Sequence, residues 1–157
     1  MLTEQTRAIG EILKASGDTV AVAESSTGGL IAASLLAVPG ASAYFKGSAV
    51  VYTLESRKVL LGLTREDVEN LKPMTEEMAL AFAAKTRERL GATWGIAELG
   101  IAGPTGAPYG VPPGTSVIGI AGPSAHATTV STGTNEREEN MWAFTRAAMA
   151  LFASAIG

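Results

Sequence analysis

Thr19-Val20-Ala21-Val22-Ala23-Glu24-Ser25-Ser26-Thr27-Gly28-Gly29-Leu30 is the stretch that decides the fold. Thr19 to Ala23 carries no charge and places β-branched residues at alternate positions, the pattern of a short buried strand. Glu24 to Thr27 is abruptly polar. Gly28-Gly29 permits a tight turn or close approach of a ligand to the backbone, and Leu30 to Leu36 opens an apolar helix. A strand that breaks into such a turn puts hydroxyls and backbone N–H groups at a helix N-terminus. A phosphate, a carboxylate or a developing oxyanion is stabilised there. The same residues also read as an ordinary capped helix start.

Working outward, Thr3 caps a first helix, Glu4 to Ala15, which Gly17-Asp18 closes. The helix after Gly28-Gly29 ends at Val38-Pro39-Gly40. Ala41 to Phe45 reads as a connector, and Ser48 to Tyr52 as a second strand. Short helices are expected over Glu55 to Leu61 and Glu66 to Asn70, then a long one from the Thr75 cap to Leu90. Trp94 to Leu99 is a third strand. Gly100 to Gly114 is a long Gly/Pro loop almost free of charge. Thr115 to Ala121 and Ala125 to Ser131 form a hairpin around Gly122-Pro123. Asn135, with Glu138 three residues on, predicts a capping box before a last helix, Glu136 to Ile156. Helices that alternate with strands, followed by a late hairpin, predict a three-layer α/β/α sandwich with a mixed β-sheet, as one domain over residues 1–157. Ligands collect at the C-terminal ends of strands in such sheets. The opening stretch and the Gly100 to Gly114 loop should therefore line one cleft.

Composition narrows the chemistry. A net charge of −3 with no basic run argues against nucleic acid as main partner. No cysteine is present, so disulfides and thiolate chemistry are excluded. The N-terminus has no basic-then-apolar signal pattern and no apolar run reaches membrane-spanning length, so no membrane partner and a cytoplasmic setting are expected. The one histidine, His126, falls in the late hairpin, so no Ser-His-Asp triad can be built. What remains is Ser25, Ser26 or Thr27 at the helix entry, needing a base from elsewhere. Lys46 and Lys58 are candidates if their surroundings depress the amine pKa. Glu24 either caps the turn or holds a sugar hydroxyl. Tyr52 either orients a substrate or packs on the sheet. Pro104-Thr105-Gly106 is either a ligand nest or a plain turn. Arg137, in the first turn of the last helix, either binds phosphate or is solvated.

Glu24-Ser25-Ser26-Thr27-Gly28-Gly29 resembles the E-S-C-T-G-G motif of the CinA C-terminal domain family, which includes the nicotinamide mononucleotide deamidases. The likeness continues through Val38 to Phe45, then Tyr52, Glu55, Leu60-Leu61-Gly62, Gly100 to Pro104, and Gly114-Thr115. It implies hydrolysis of the carboxamide of nicotinamide mononucleotide to the acid and ammonia, with no metal and no cofactor. The expected partner is a small pyridine nucleotide, and a homo-oligomer is expected. By position Ser25 is the nucleophile. Glu24, Ser26, Thr27, Gly28, Gly29, Tyr52, Gly103, Thr105 and Arg137 are the expected substrate-side residues.

The departures from the family pattern are as informative. The Y-S-N-E-A-K segment reads Tyr52-Thr53-Leu54-Glu55-Ser56-Arg57, so the expected base is an arginine, which stays protonated. Lys58 is adjacent, but one helical step is about 100° of rotation, so it should point elsewhere. Arg57 or Lys58 is left as an electrostatic helper at the catalytic centre. Leu99 replaces a threonine, Val111 a lysine, and Gly133-Thr134-Asn135 a G-D-R. Two functions follow as expectations: an amidohydrolase, or a family member that keeps the cleft without hydrolysis.

Overall fold

The structure, a computed structural model, describes residues 3–157. Five strands form one sheet in the order β2-β1-β3-β4-β5. They are β1 (Val20–Glu24), β2 (Phe45–Val50), β3 (Trp94–Ile101), β4 (Thr115–Ala121) and β5 (Ala125–Ser131). β1 runs parallel to both β2 and β3, and β3-β4-β5 is an antiparallel meander. The helices are α1 (Glu4–Ser16), α2 (Leu30–Leu36), α3 (Leu54–Leu61), α4 (Arg65–Val68), α5 (Glu76–Leu90) and α6 (Arg137–Ile156). The mixed sheet between two helical layers is the expected fold class.

Strand alternation divides the core in two. Val20, Val22, Ile96, Ile118 and Ile120 pack with Ile9 and Leu13 of α1, Ile31 and Leu35 of α2, and Met149 and Phe152 of α6. Ala23, Ala97, Leu99 and Val117 pack on the other face with Leu61 of α3 and Ala79, Phe82 and Ala83 of α5. That second layer is thin because the residues are small. A Cβ on Gly119 would lie 2.6 Å from the Ala79 carbonyl carbon, and one on Gly95 would meet the Ala83 carbonyl. The abundance of Gly and Ala is thus how α5 settles directly onto the sheet.

Helix signals mostly acted as the sequence suggested. Thr3 and Thr53 form capping boxes with Thr6 and Ser56, and Gly17, Gly62 and Gly91 close α1, α3 and α5 in the left-handed conformation. Several expectations fail. The second strand runs Phe45–Val50, not Ser48 to Tyr52, with a bulge that leaves Lys46 unpaired between the Val20–Phe45 and Ala21–Gly47 pairs; α4 ends at Val68 rather than Asn70, and β3 runs on through Gly100 to Ile101. The Asn135 capping box does not form: Glu136 is the N-cap, without a side-chain bond, and its N–H donates to Thr134 Oγ1 instead.

A candidate active site at the carboxyl end of the sheet

The turn Ser25 to Gly29 leaves the carboxyl end of β1, residues 51–53 leave β2, and the Gly/Pro loop leaves β3, all at one end of the sheet. The loop also closes there: Gly114 N–H donates to Ile101 O, and Asn140 of α6 donates to Ala102 O at 2.8 Å. His126 pairs with Ile120, toward the hairpin tip at the far end, and its ring bonds Ser124 Oγ. The turn and the loop therefore share one end of the sheet, as their places in the sequence require.

The turn is built on two fully buried carboxylates, Glu24 and Glu98, which are register neighbours on β1 and β3. Glu24 caps α2: it accepts from the N–H groups of Ile31 (3.1 Å) and Ala32 (2.9 Å) and from Thr27 Oγ1 (2.7 Å). That is the capping alternative for Glu24, whose carboxylate is fully buried and bonded within the turn and α2. Glu98 accepts from Ser25 N (3.2 Å), Thr27 N (2.9 Å), Thr27 Oγ1 (3.0 Å), Ser26 Oγ (2.6 Å) and Ser116 Oγ (3.1 Å). Thr27 thus stands between both acids with one proton to give. Burial pushes the Glu98 carboxyl above the usual carboxylate range, while its hydrogen bonds pull the other way. The sequence signal for Glu98 was a single acid inside the otherwise apolar run Trp94 to Ile101, beside Glu24 once the strands are aligned.

These bonds sort the predicted residues. Ser26 and Thr27 are buried and their hydroxyls are taken by the carboxylates, so they hold the turn. Ser25 is 4% exposed, and among the described residues its hydroxyl makes no hydrogen bond. The expected oxyanion donors are also reduced. Gly28 N–H bonds Ser25 O within the turn, which leaves the N–H groups of Ser26 and Gly29 without acceptors among the described residues. Ser25 N–H still makes a ladder bond to Glu98 O. The alternation of β1 therefore assigns Ser25 to the face of Ala23 and Leu99.

On that face lies a cavity of 480 Å³, walled by α3, α4, α5 and the loop. Arg57, Lys58 and Arg65 line it together with Leu54, Met74, Met78, Phe82, Leu99 and Tyr109. Ser25 is not in its wall. Arg57 is held at two points: Nε donates to Val51 O at 3.2 Å, and the guanidinium lies 5.2 Å over the Phe82 ring. Burial pulls its pKa down from the usual arginine value, and Tyr109 and Glu98 oppose this. Lys58 corrects the expectation from helical rotation. It lines the same cavity as Arg57, because the space extends along the flank of α3 toward α4. Arg137, at the start of α6, is not in the cavity wall. It donates to Gly103 O and, at 3.3 Å, to the exposed Tyr52 hydroxyl, so α6, the loop and the end of β2 are tied by one side chain. Thr105 is exposed on the loop and makes no hydrogen bond among the described residues. Asn140, fully buried, was not legible in advance; it accepts from Thr132 Oγ1 and donates to Ala102 O and Thr134 O.

A model of the CinA C-terminal domain matches residues 2–156. The chain belongs to the CinA C-terminal domain family. A CinA-like protein from Nostoc is 42% identical over 98 residues, 62% of this chain and 23% of the relative. A putative competence-damage inducible protein from Desulforamulus reducens is 41% identical over 105 residues, 65% and 26% of the two chains. This chain thus spans about a quarter of the length of the curated relatives it matches. Among solved structures, a CinA superfamily protein from Klebsiella pneumoniae superposes with a TM-score of 0.88 at 26% identity, covering 98% and 96%. A competence/damage inducible protein from Agrobacterium tumefaciens gives 0.84 at 26%, covering 99% and 98%. Among the described residues no helix is long and apolar enough to cross a membrane.

Proposed function

We propose that this CinA-family chain is an amidohydrolase of the nicotinamide mononucleotide deamidase type, with Ser25 as nucleophile. Ser25 Oγ attacks the carboxamide carbon, and its proton passes to a base. The tetrahedral oxyanion is met by the N–H groups of Gly29 and Ser26. Breakage of the C–N bond, with the proton returned to nitrogen, releases ammonia. Water then hydrolyses the acyl-serine to the carboxylate and restores the hydroxyl. We assign that proton to the amine of Lys58, which lines the cleft beside Arg57. Arg57 stays charged and serves the developing negative charge. Arg137, Tyr52, Gly103 and Thr105 form the rim on the nucleotide side. The observation that carries the reading is Ser25 itself: of the three hydroxyls in the turn, it alone makes no hydrogen bond among the described residues. The test is ammonia release from nicotinamide mononucleotide; no release above a Ser25→Ala control refutes it.

A second reading is a cytoplasmic ligand-binding member of the family without turnover, as a single domain in a homo-oligomer. It is favoured by the lack, among the described residues, of any base bonded to Ser25 Oγ, and by the occupation of the N–H groups of Ser25, Thr27, Ile31 and Ala32 by Glu24 and Glu98. Binding of the nucleotide in a thermal-shift assay without ammonia release selects it.

A further inference from the structure

Arg57 is a half-buried cation held rigidly with its working end unused. Its Nε is spent on Val51 O and its plane rests on Phe82, yet neither terminal amino group meets a protein acceptor among the described residues. The ion pairs found there, Lys14–Glu11 and Lys85–Asp67, include none of Arg57, Lys58 and Arg65. No aspartate or glutamate lines the cavity that these three cations share. A guanidinium fixed in this way presents two parallel N–H donors, which match one carboxylate. Burial without a counter-ion costs free energy that a bound anion would recover.

Beyond the cations the wall is apolar. Phe82 and Leu99 are 1% and 3% exposed, and Met74, Met78 and Leu54 complete the surface. The neutral hydroxyls are Thr64, whose oxygen already accepts the α4 cap bond, and Tyr109. A ribose would bring hydroxyls to a wall with few neutral groups to bond them, and a phosphate would compete for the same three cations. The volume of 480 Å³ suits a small molecule, and thioethers adapt to varied apolar shapes.

We propose that the Arg57 cleft binds a small organic carboxylate with an apolar body, its carboxylate paired with the Arg57 guanidinium and its body against Met74, Met78, Phe82 and Leu99. This names a ligand class for the cleft. It rests on the preceding section only in taking that cleft as the ligand site, and it does not require turnover at Ser25.

Calorimetric titration of the full chain with phenylacetate, its neutral isostere phenylacetamide, and nicotinate mononucleotide tests it. Phenylacetate should bind at one site, at least tenfold tighter than phenylacetamide. Arg57→Met should weaken phenylacetate at least tenfold, and Leu99→Thr severalfold. Equal binding of acid and amide, or unchanged affinity in Arg57→Met, overturns the proposal. So does nicotinate mononucleotide binding tenfold tighter than phenylacetate. Should Arg57→Met fail to fold, the acid–amide comparison on the unaltered protein still decides. Ammonia release from nicotinamide mononucleotide without phenylacetate binding would sink this inference and spare the hydrolase. Phenylacetate binding without ammonia release would do the reverse.

Discussion

Truncating Glu98 should cost most of what holds the Ser25 turn. In Glu98→Ala, Ser25 N–H keeps its bond to the main-chain oxygen of residue 98, Thr27 Oγ1 keeps Glu24, and Ser116 Oγ keeps Leu99 O. Thr27 N–H and Ser26 Oγ have no second acceptor. Two orphaned buried donors at about 1–3 kcal/mol each give a loss of roughly 4 kcal/mol. For a chain of this size that is a fall in Tm of about 8–16 °C. Glu98→Gln keeps Oε1 for Thr27, and the Ser26 and Ser116 hydroxyls can rotate to accept from the new amide, so it should lose only about 1 kcal/mol. The pH dependence separates charge from shape. Because burial raises the Glu98 carboxyl, the folded state binds its proton more tightly than the unfolded chain. That stabilisation is complete below the unfolded glutamate pKa of about 4.3 and is lost as pH rises through the higher folded value. The gap between wild type and Glu98→Gln in urea unfolding should therefore shrink from pH 4.5 upward. An alanine variant that melts within 2–3 °C of wild type (under about 1 kcal/mol), a glutamine variant as damaged as alanine, or a gap that widens with pH would each refute the reasoning.

Other changes test neighbouring links. Ser25→Ala should leave the unfolding midpoint unchanged within about 0.5 kcal/mol, whereas Ser26→Ala should lose about 1.5–3 kcal/mol of a hydrogen bond to an acid; equal urea midpoints would mean that Ser25 is engaged. If the missing lysine is the only defect, Arg57→Lys should raise ammonia release from nicotinamide mononucleotide above wild type. Gly100→Ala should lower Tm, because its Cβ would meet Ser26 Oγ, Glu98 Oε2 at 2.5 Å and Phe144 Cε2 at 3.0 Å. Overpacking of that kind costs about 1–3 kcal/mol. Asn140→Leu should leave the Ala102 and Thr134 carbonyls unpaired, and should speed proteolysis of the Gly/Pro loop before the sheet melts.

Legibility from sequence followed the range of the forces involved. Capping boxes and glycine stops are local, so α1, α3 and α5 were readable to within a residue or two. The hairpin was readable because two alternating runs flank Gly122-Pro123. The bulge at Lys46 was not, since it answers to register against β1 rather than to any nearby residue. The site divides the same way. The turn, and the likeness its motif carries, lie in one contiguous stretch. Glu98 is 73 positions from Ser25, and its meaning appears only when β3 lies beside β1.

That division bears on what the chain does. In the family resemblance the turn is a place where backbone N–H groups await a ligand's negative charge. In this chain two internal carboxylates already sit on the N–H groups of Ser25, Thr27, Ile31 and Ala32. Three cations without an acidic partner among the described residues, Arg57, Lys58 and Arg65, line the apolar cleft on the sheet face away from the two carboxylates. An anion therefore gains more in the cleft than at the turn. Were a ligand's carboxylate held at Arg57, hydrolysis would still require a carbonyl within reach of Ser25 Oγ. Soaking with phenylacetate and solving the complex measures that span directly. A carboxylate on Arg57 with the apolar body pointing away from Ser25 would leave the hydroxyl without a substrate and favour binding alone.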